Sequence, residues 1–337
     1  MIGWEKIQAS GGKQLTNAIE IRGLNKSFGP KLAVQNLDLT VPQGALYGFI
    51  GPNGAGKSTT IRMIMSIIFP DSGELSVLGK ASAVESKDRI GYLPEERGVY
   101  RKMKVGAFLK YMARLKGLDA AEAERRTKEW LVRVGLADTY RKKCEELSKG
   151  MQQKVQFIAA VINEPELLIL DEVFSGLDPE NRRLMRDLIR EQNDAGRTII
   201  FSTHAMNEAE QLCDSIFMIR GGVKVLDMPM KQLWSTYDPK TVVVEPTNPA
   251  DIDLAWETLP GVREAVRSEQ FVDLRLGENA NVATLMQGAT AMAGVRKVEL
   301  KRPSLEDIFI ELVGGDSESV RKELRASAKP VQEVARG

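Results

Sequence analysis

Short unbroken apolar runs alternate with longer stretches in which apolar residues recur every three or four positions. The runs at 46–50 (LYGFI), 167–170 (LLIL), 198–201 (TIIF) and 216–219 (IFMI) are too short for helices and lack polar alternation, so they predict strands buried on both faces. A first strand is expected at 19–22. Such strands, separated by amphipathic helical segments, predict an α/β domain built on a mostly parallel sheet. Between Met103 and Glu146 the strands stop and charged helical periodicity takes over, as in AFLKYMARLKGL and AEAERRTKEWLVRVGL. That stretch, about 103–147, predicts a helical subdomain inserted into the sheet domain at 18–237.

Beyond Tyr237 the pattern changes again. It predicts a strand at 242–245, a helix around 251–259, strands near 262–266 and 271–276, a helix at 282–293 and a strand at 298–301. This β-α-β-β-α-β order is that of a small α+β, ferredoxin-like sandwich, expected to occupy 238–314. Residues 1–17 are polar and Gly-rich and are expected to form a mobile extension; 315–337 are charged, lack an apolar face and are expected to be disordered.

With 43% apolar residues in 337, the chain can bury a full core. Lys and Arg number 47 against 46 Asp and Glu, so no strong positive field draws it to nucleic acid or anionic lipid. The two cysteines, Cys144 and Cys213, stand at no metal or redox spacing, which points to a reduced cytosolic setting. The N-terminus lacks the apolar core of a signal peptide, and no apolar run reaches the ~18 to 20 residues that span a bilayer. Any work at a membrane is expected to depend on another protein.

Directly after LYGFI comes Gly51-Pro52-Asn53-Gly54-Ala55-Gly56-Lys57-Ser58, with a helical run from Thr59 to 67. Glycines at this spacing between a buried strand and a helix let the backbone N–H groups of 53–58 curl around phosphate, and the helix N-terminus adds partial positive charge. Lys57 is expected to reach the β- and γ-phosphates and the Ser58 hydroxyl to ligate Mg²⁺. An ordinary glycine turn would explain the glycines but neither the Lys-Ser pair nor the strand before it. The run at 167–170 ends in Asp171 and Glu172, at the strand edge where an open α/β sheet holds ligands. Asp171 is expected to hold Mg²⁺ through water and Glu172 to act as general base toward water. Alone, such an acidic pair also suits a solvated turn.

Three further segments choose among phosphate-binding folds. LSKGMQQ, 147–153, resembles the LSGGQ signature of the ATP-binding cassette family; FSGLDP, 174–179, resembles its D-loop; and Ser202-Thr203-His204 resembles its switch histidine. His204 is the sole histidine, which also argues against a His-based metal site. The resemblance covers about 19–237 and implies a P-loop cassette: a mostly parallel core, an antiparallel β subdomain and the helical insert. It implies ATP and Mg²⁺ as cofactors and ATP hydrolysis as the activity, with His204 at the γ-phosphate and Phe28 against the adenine, although Phe28 also suits a core role. Two nucleotides would lie between two cassettes, alike or different, with Ser148, Gly150 and Asp178 acting across the dimer. The expected partners are integral membrane permease subunits, which would hold the protein on the cytoplasmic face of the cell membrane.

Glu95, in GYLPEERG, stands where the family has glutamine, and its carboxylate is expected to ligate Mg²⁺. Lys149 and Met151 depart from the signature, and Lys149 is either solvated or beside the partner's phosphate. LPEERGVY, LSKGMQQKVQ and the distal RPSLEDIF resemble a branch of sodium-, drug- and antibiotic-efflux ATPases; the distal segment also reads as a plain helix capped by Ser304. The other reading is a soluble cassette ATPase acting on ribosomes or nucleic acid. Such proteins usually carry two cassettes in tandem or a long coiled-coil insert, and often basic arms, whereas this chain has one cassette and near-neutral charge.

Overall fold

The computed structural model describes residues 16–96, 98–237, 241–277 and 279–313. The extension to residue 15 and the tail from 314 lie outside them. The chain divides into two compact units, the second being Lys231–Leu312.

In the first unit the apolar runs become a six-stranded sheet. Its strands are β3 Leu46–Ile50, β5 Ile90–Leu93, β6 Leu167–Asp171, β7 Thr198–Thr203, β8 Ser215–Arg220 and β9 Val223–Pro229, in the order β5-β6-β7-β3-β8-β9. All neighbours are parallel except β8 and β9. Every residue of β3, β6 and β7 is buried, the condition that makes a strand read as a continuous apolar run. β9, with its mixed edge pattern, carries no such signal.

A second, three-stranded antiparallel sheet has β1 Asn17–Phe28 at its centre, flanked by β2 Lys31–Pro42 and β4 Ser72–Val77. β1 runs well past the four residues expected, because its register shifts keep it paired through to Phe28. The helix after the P-loop, α1, spans Lys57–Ile64 and stops short of 67, where Ser66 turns into the left-handed region. The insert carries α2 Val105–Leu115 and α3 Ala120–Arg133, followed by α4 Lys149–Val161. Then come α5 Pro179–Asp194 and α6 Met206–Leu212. α5 has Pro179 in its first turn, where the missing N–H costs nothing.

α7 Met230–Thr236 leads into the second unit's four-stranded antiparallel sheet, ordered β11-β12-β10-β13: β10 Thr241–Pro246, β11 Val262–Arg267, β12 Val272–Leu276 and β13 Val295–Lys301. α8 Val282–Met292 covers one face, and α9 Leu305–Val313 begins at Ser304, whose hydroxyl accepts the Asp307 N–H. The helix expected around 251–259 is absent. In its place stand two short 3₁₀ turns, Pro249–Asp253 and Trp256–Thr258, broken by an extended Leu254. The break drops Trp256 into full burial while its indole N–H donates to the Asp251 carbonyl at 3.0 Å. One continuous helix would trade that satisfied indole for ordinary helical hydrogen bonds.

Among the described residues no helix is long and apolar enough to cross a membrane.

Candidate active site

β3 delivers the chain into the loop at 51–56, and α1 begins at Lys57 with Gly56 as its N-cap. Gly56 is left-handed, φ 108°, and a β-carbon there would stand 2.6 Å from the Ala33 carbonyl oxygen of β2. Only glycine lets the loop pass that close. No side chain caps α1 and its first turn has no acidic residue, so its free N–H groups and dipole face open space.

That space is a cleft of about 340 Å³. Asn53, Gly54, Gly56, Lys57, Ser58 and Thr59 form its floor, while Phe28, Glu95 and Glu172 stand around it. Phe28 is 51% exposed, a surface residue with the Lys26 ammonium 5.6 Å from its ring centre rather than a core side chain. Ala55 is buried behind the loop, and its carbonyl accepts the Gly222 N–H at 2.8 Å. Lys57 donates to the Gly51 and Pro52 carbonyls at 2.7 and 3.3 Å; burial lowers its pKa, opposed by the carboxylates of Glu172, Asp171 and Glu95.

At the ends of β6 and β7 the acid pair meets the histidine. Glu172 is left-handed, φ 50°, a backbone state that costs a non-glycine residue about 1–3 kcal/mol. Its N–H donates to the Ser202 carbonyl at 3.0 Å, and the turn aims its carboxylate at His204. Glu172 Oε1 accepts the His204 backbone N–H at 3.0 Å and lies 2.7 Å from Nδ1. Asp171 is 3% exposed, its Oδ1 has no hydrogen-bond partner, and burial pushes its carboxyl from 3.8 up to about 6. A buried carboxylate oxygen without a partner, near the carboxylates of Glu172 and Glu95, fits Mg²⁺, which takes one or two carboxylates and leaves other positions to hydroxyl, water and phosphate. Asp171, Glu95 and Ser58 are therefore the residues that would hold the cation. Among the described residues no three His, Cys, Asp or Glu side chains form a closed cage that would hold a metal alone.

Asp171 and His204 do not themselves line the cleft but adjoin its Glu172, Asp171 in sequence and His204 by the 2.7 Å contact, whereas Ser148, Gly150 and Asp178 are neither in the lining nor, among the described residues, bonded to a residue that is. Ser148 caps α4 by accepting the Met151 N–H at 3.3 Å, and Asp178 caps α5 through Asn181. The two helix starts adjoin: a β-carbon on Gly150 would stand 3.5 Å from Leu177 Cδ2 and 3.9 Å from Asn181 Nδ2. Gln153 Nε2 ties α4 to the loop after Glu172 by donating to the Val173 carbonyl at 3.1 Å.

Sequence reasoning passed over Lys31 and Ala33, which also line the cleft, and Gly222, which supports it from behind. Gly222 donates to Ala55 O and its own carbonyl accepts the Gln35 N–H, both at 2.8 Å. The Gly221-Gly222 pair after a predicted strand was the available signal for a tight turn.

A family model described as ABC transporter matches residues 34–175, and one described as ATP-binding protein DrrA1-3-like, C-terminal domain, matches 229–313. A third, an AAA domain described as a putative AbiEii toxin of a Type IV TA system, matches 143–209. The uncharacterized ABC transporter ATP-binding protein YhaQ of Bacillus subtilis is 40% identical over 307 residues, covering 88% of this chain and 98% of its own. The Nod factor export ATP-binding protein I of a Rhizobium species is 32% identical, covering 89% and 98%. A solved structure of an ATP-binding subunit of an ABC transporter superposes with a TM-score of 0.61 at 30% identity, covering 65% of this chain and 93% of that one.

Proposed function

The chain belongs to the ABC transporter ATP-binding proteins, a family of ATPases, and from that premise we propose that it is the motor of an exporter, closing as a dimer around MgATP and acting on separate membrane permease subunits. The observation that carries the reading is Glu172, which lines the P-loop cleft while His204 holds its Oε1.

In this reading the N–H groups of the loop and Lys57 hold the β- and γ-phosphates, and Phe28 stacks on the adenine. Mg²⁺, held by Ser58, Asp171 and Glu95, would neutralise charge on those phosphates. Glu172 takes a proton from the attacking water. His204 occupies Oε1 twice and so leaves Oε2 for that water, fixing the base without consuming it. Ser148, Gly150 and Asp178 cluster away from the cleft of their own chain, and this separation supports their use by a second cassette. There Ser148 would offer a hydroxyl and α4 its N-terminus to the partner's γ-phosphate.

The DrrA-like C-terminal match and the relative named for Nod factor export support an outward direction. Permease contact is assigned to the helical insert and to Tyr100, 53% exposed and stacked edge-on against Tyr111 at 6.0 Å. On this reading the protein sits on the cytoplasmic face of the cell membrane. The test is to express tagged Glu172→Gln in the native cell, extract membranes in mild detergent with MgATP, and identify what co-purifies. A polytopic membrane protein in near-equal amount supports the proposal; ribosomes, nucleic acid or no membrane partner would replace it with a soluble cassette.

A further inference from the structure

Gln156 lies in α4 between the buried Val155 and Phe157, itself 5% exposed. Its Nε2 donates to the Glu96 carbonyl at 3.4 Å, the residue after Glu95. Its Oε1 is buried with no hydrogen-bond partner. Leucine or alanine would fill this helical position and leave no polar atom unsatisfied, so the half-used amide is a cost to folding that packing does not explain. The amide lies beneath the loop that carries Glu95: a β-carbon on Gly98 would stand 3.8 Å from Gln156 Nε2 and 3.8 Å from the Pro94 ring. The N-terminus of the helix bearing Gln156 is capped by Ser148. One buried side chain therefore links the backbone next to the expected cation ligand to the helix whose N-terminus is expected to meet the partner's phosphate.

We propose that Gln156 is a positioning residue of the nucleotide site, holding the Glu95 loop to α4, with its unpartnered carbonyl the acceptor for a second hold when Glu95 engages the cation of bound nucleotide. This rests on the assignment of Glu95 to that cation. A link of this kind makes loop and signature helix move together: cation engagement in one cassette repositions the surface offered to the other. The free acceptor gives a shift of the loop a hydrogen bond to gain.

The test uses the full-length chain and titrates Mg²⁺ at a fixed concentration of the β,γ-imido analogue of ATP, reading binding by calorimetry, alongside analogue binding without Mg²⁺. Gln156→Leu and Gln156→Ala are each expected to raise the Mg²⁺ requirement about tenfold, the usual scale for losing a partner behind a metal ligand, with Mg²⁺-free binding unchanged. Glu95→Gln combined with Gln156→Leu is expected to be no worse than Glu95→Gln alone, since both act through one ligand. A wild-type Mg²⁺ curve for Gln156→Leu, an equal loss of Mg²⁺-free binding, or effects that multiply with Glu95→Gln would each overturn the proposal. If Glu95→Gln leaves the Mg²⁺ requirement unchanged, the Glu95 assignment falls and takes this one with it. If Glu95→Gln acts and Gln156→Leu does not, only the role of Gln156 falls.

Discussion

His204 meets Glu172 twice at one oxygen: Nδ1 stands 2.7 Å from Oε1, and the His204 backbone N–H donates to the same atom at 3.0 Å. With Glu172 ionised, the ring carries its proton on Nδ1, toward that oxygen. The carboxylate is thus oriented by one ring and one peptide, and the two variants should separate. Glu172→Gln keeps an acceptor for His204 but loses the base, so ATP binding should persist while hydrolysis falls by about 10²–10⁴-fold and a closed dimer accumulates in sizing experiments with MgATP. His204→Ala should lower kcat with little change in KM. Normal turnover by Glu172→Gln would remove it from the base role.

Gly222 holds the P-loop from a part of the chain remote in sequence. At φ 82°, a β-carbon there would stand 2.8 Å from the Ala33 carbonyl. Gly222→Ala should therefore push β2 and the Ala55 hydrogen bond apart, costing about 1–3 kcal/mol and weakening ATP binding although residue 222 touches no phosphate. Thermal melting and nucleotide titration check both parts, and unaltered ATP affinity in the variant would contradict this supporting role.

Asp171 is a carboxylate whose burial favours its protonated form. Burial raises its pKa from 3.8 to about 6, so between those values the fold binds a proton that the unfolded chain releases, and stability falls as pH rises. Asp171→Asn removes that cost. The nucleotide-free variant should melt a few degrees higher than wild type above pH 6, with the gain shrinking toward pH 4, and Mg²⁺ should no longer strengthen ATP binding. A lower melting temperature at pH 7.5 would show that the carboxylate is already compensated.

Ser148 and Lys57 lie on surfaces that a single chain does not bring to one cleft. If the cassette pairs with its own copy, Lys57→Ala and Ser148→Arg should each be nearly inactive, yet an equimolar mixture should recover part of the hydrolysis. A mixed dimer holds one site with an intact P-loop and an intact signature. No recovery, with mixed dimers shown by crosslinking, would argue against action across the interface.

The P-loop, the Asp171-Glu172 pair and His204 were legible because each depends on a few consecutive residues at the end of a buried strand. Local backbone geometry decides where their groups point, and a fully buried strand announces itself as an apolar run. The strands of the second unit came through by a different signal, the alternation of a sheet buried on one face, as in β10 and β12, while the helix expected around 251–259 did not. The wish of Trp256 for both burial and a hydrogen-bond acceptor is settled by neighbours, not by periodicity. β9 was missed because an antiparallel edge strand with mixed exposure lacks a distinctive pattern.

By itself, then, the order of residues determined the fold class, the glycine loop at 51–56 and the placing of Asp171, Glu172 and His204 at the ends of buried strands, since these follow from period, glycine spacing and strand ends. Tertiary structure alone decided that one Glu172 oxygen receives both His204 donors, that Gly222 and Ala33 brace the loop, and that Gln156 reaches Glu96. Those relations join residues far apart in the chain. They depend on sheet order and on close backbone approaches, such as those of Gly56 and Gly222 to the Ala33 carbonyl, which no local pattern records.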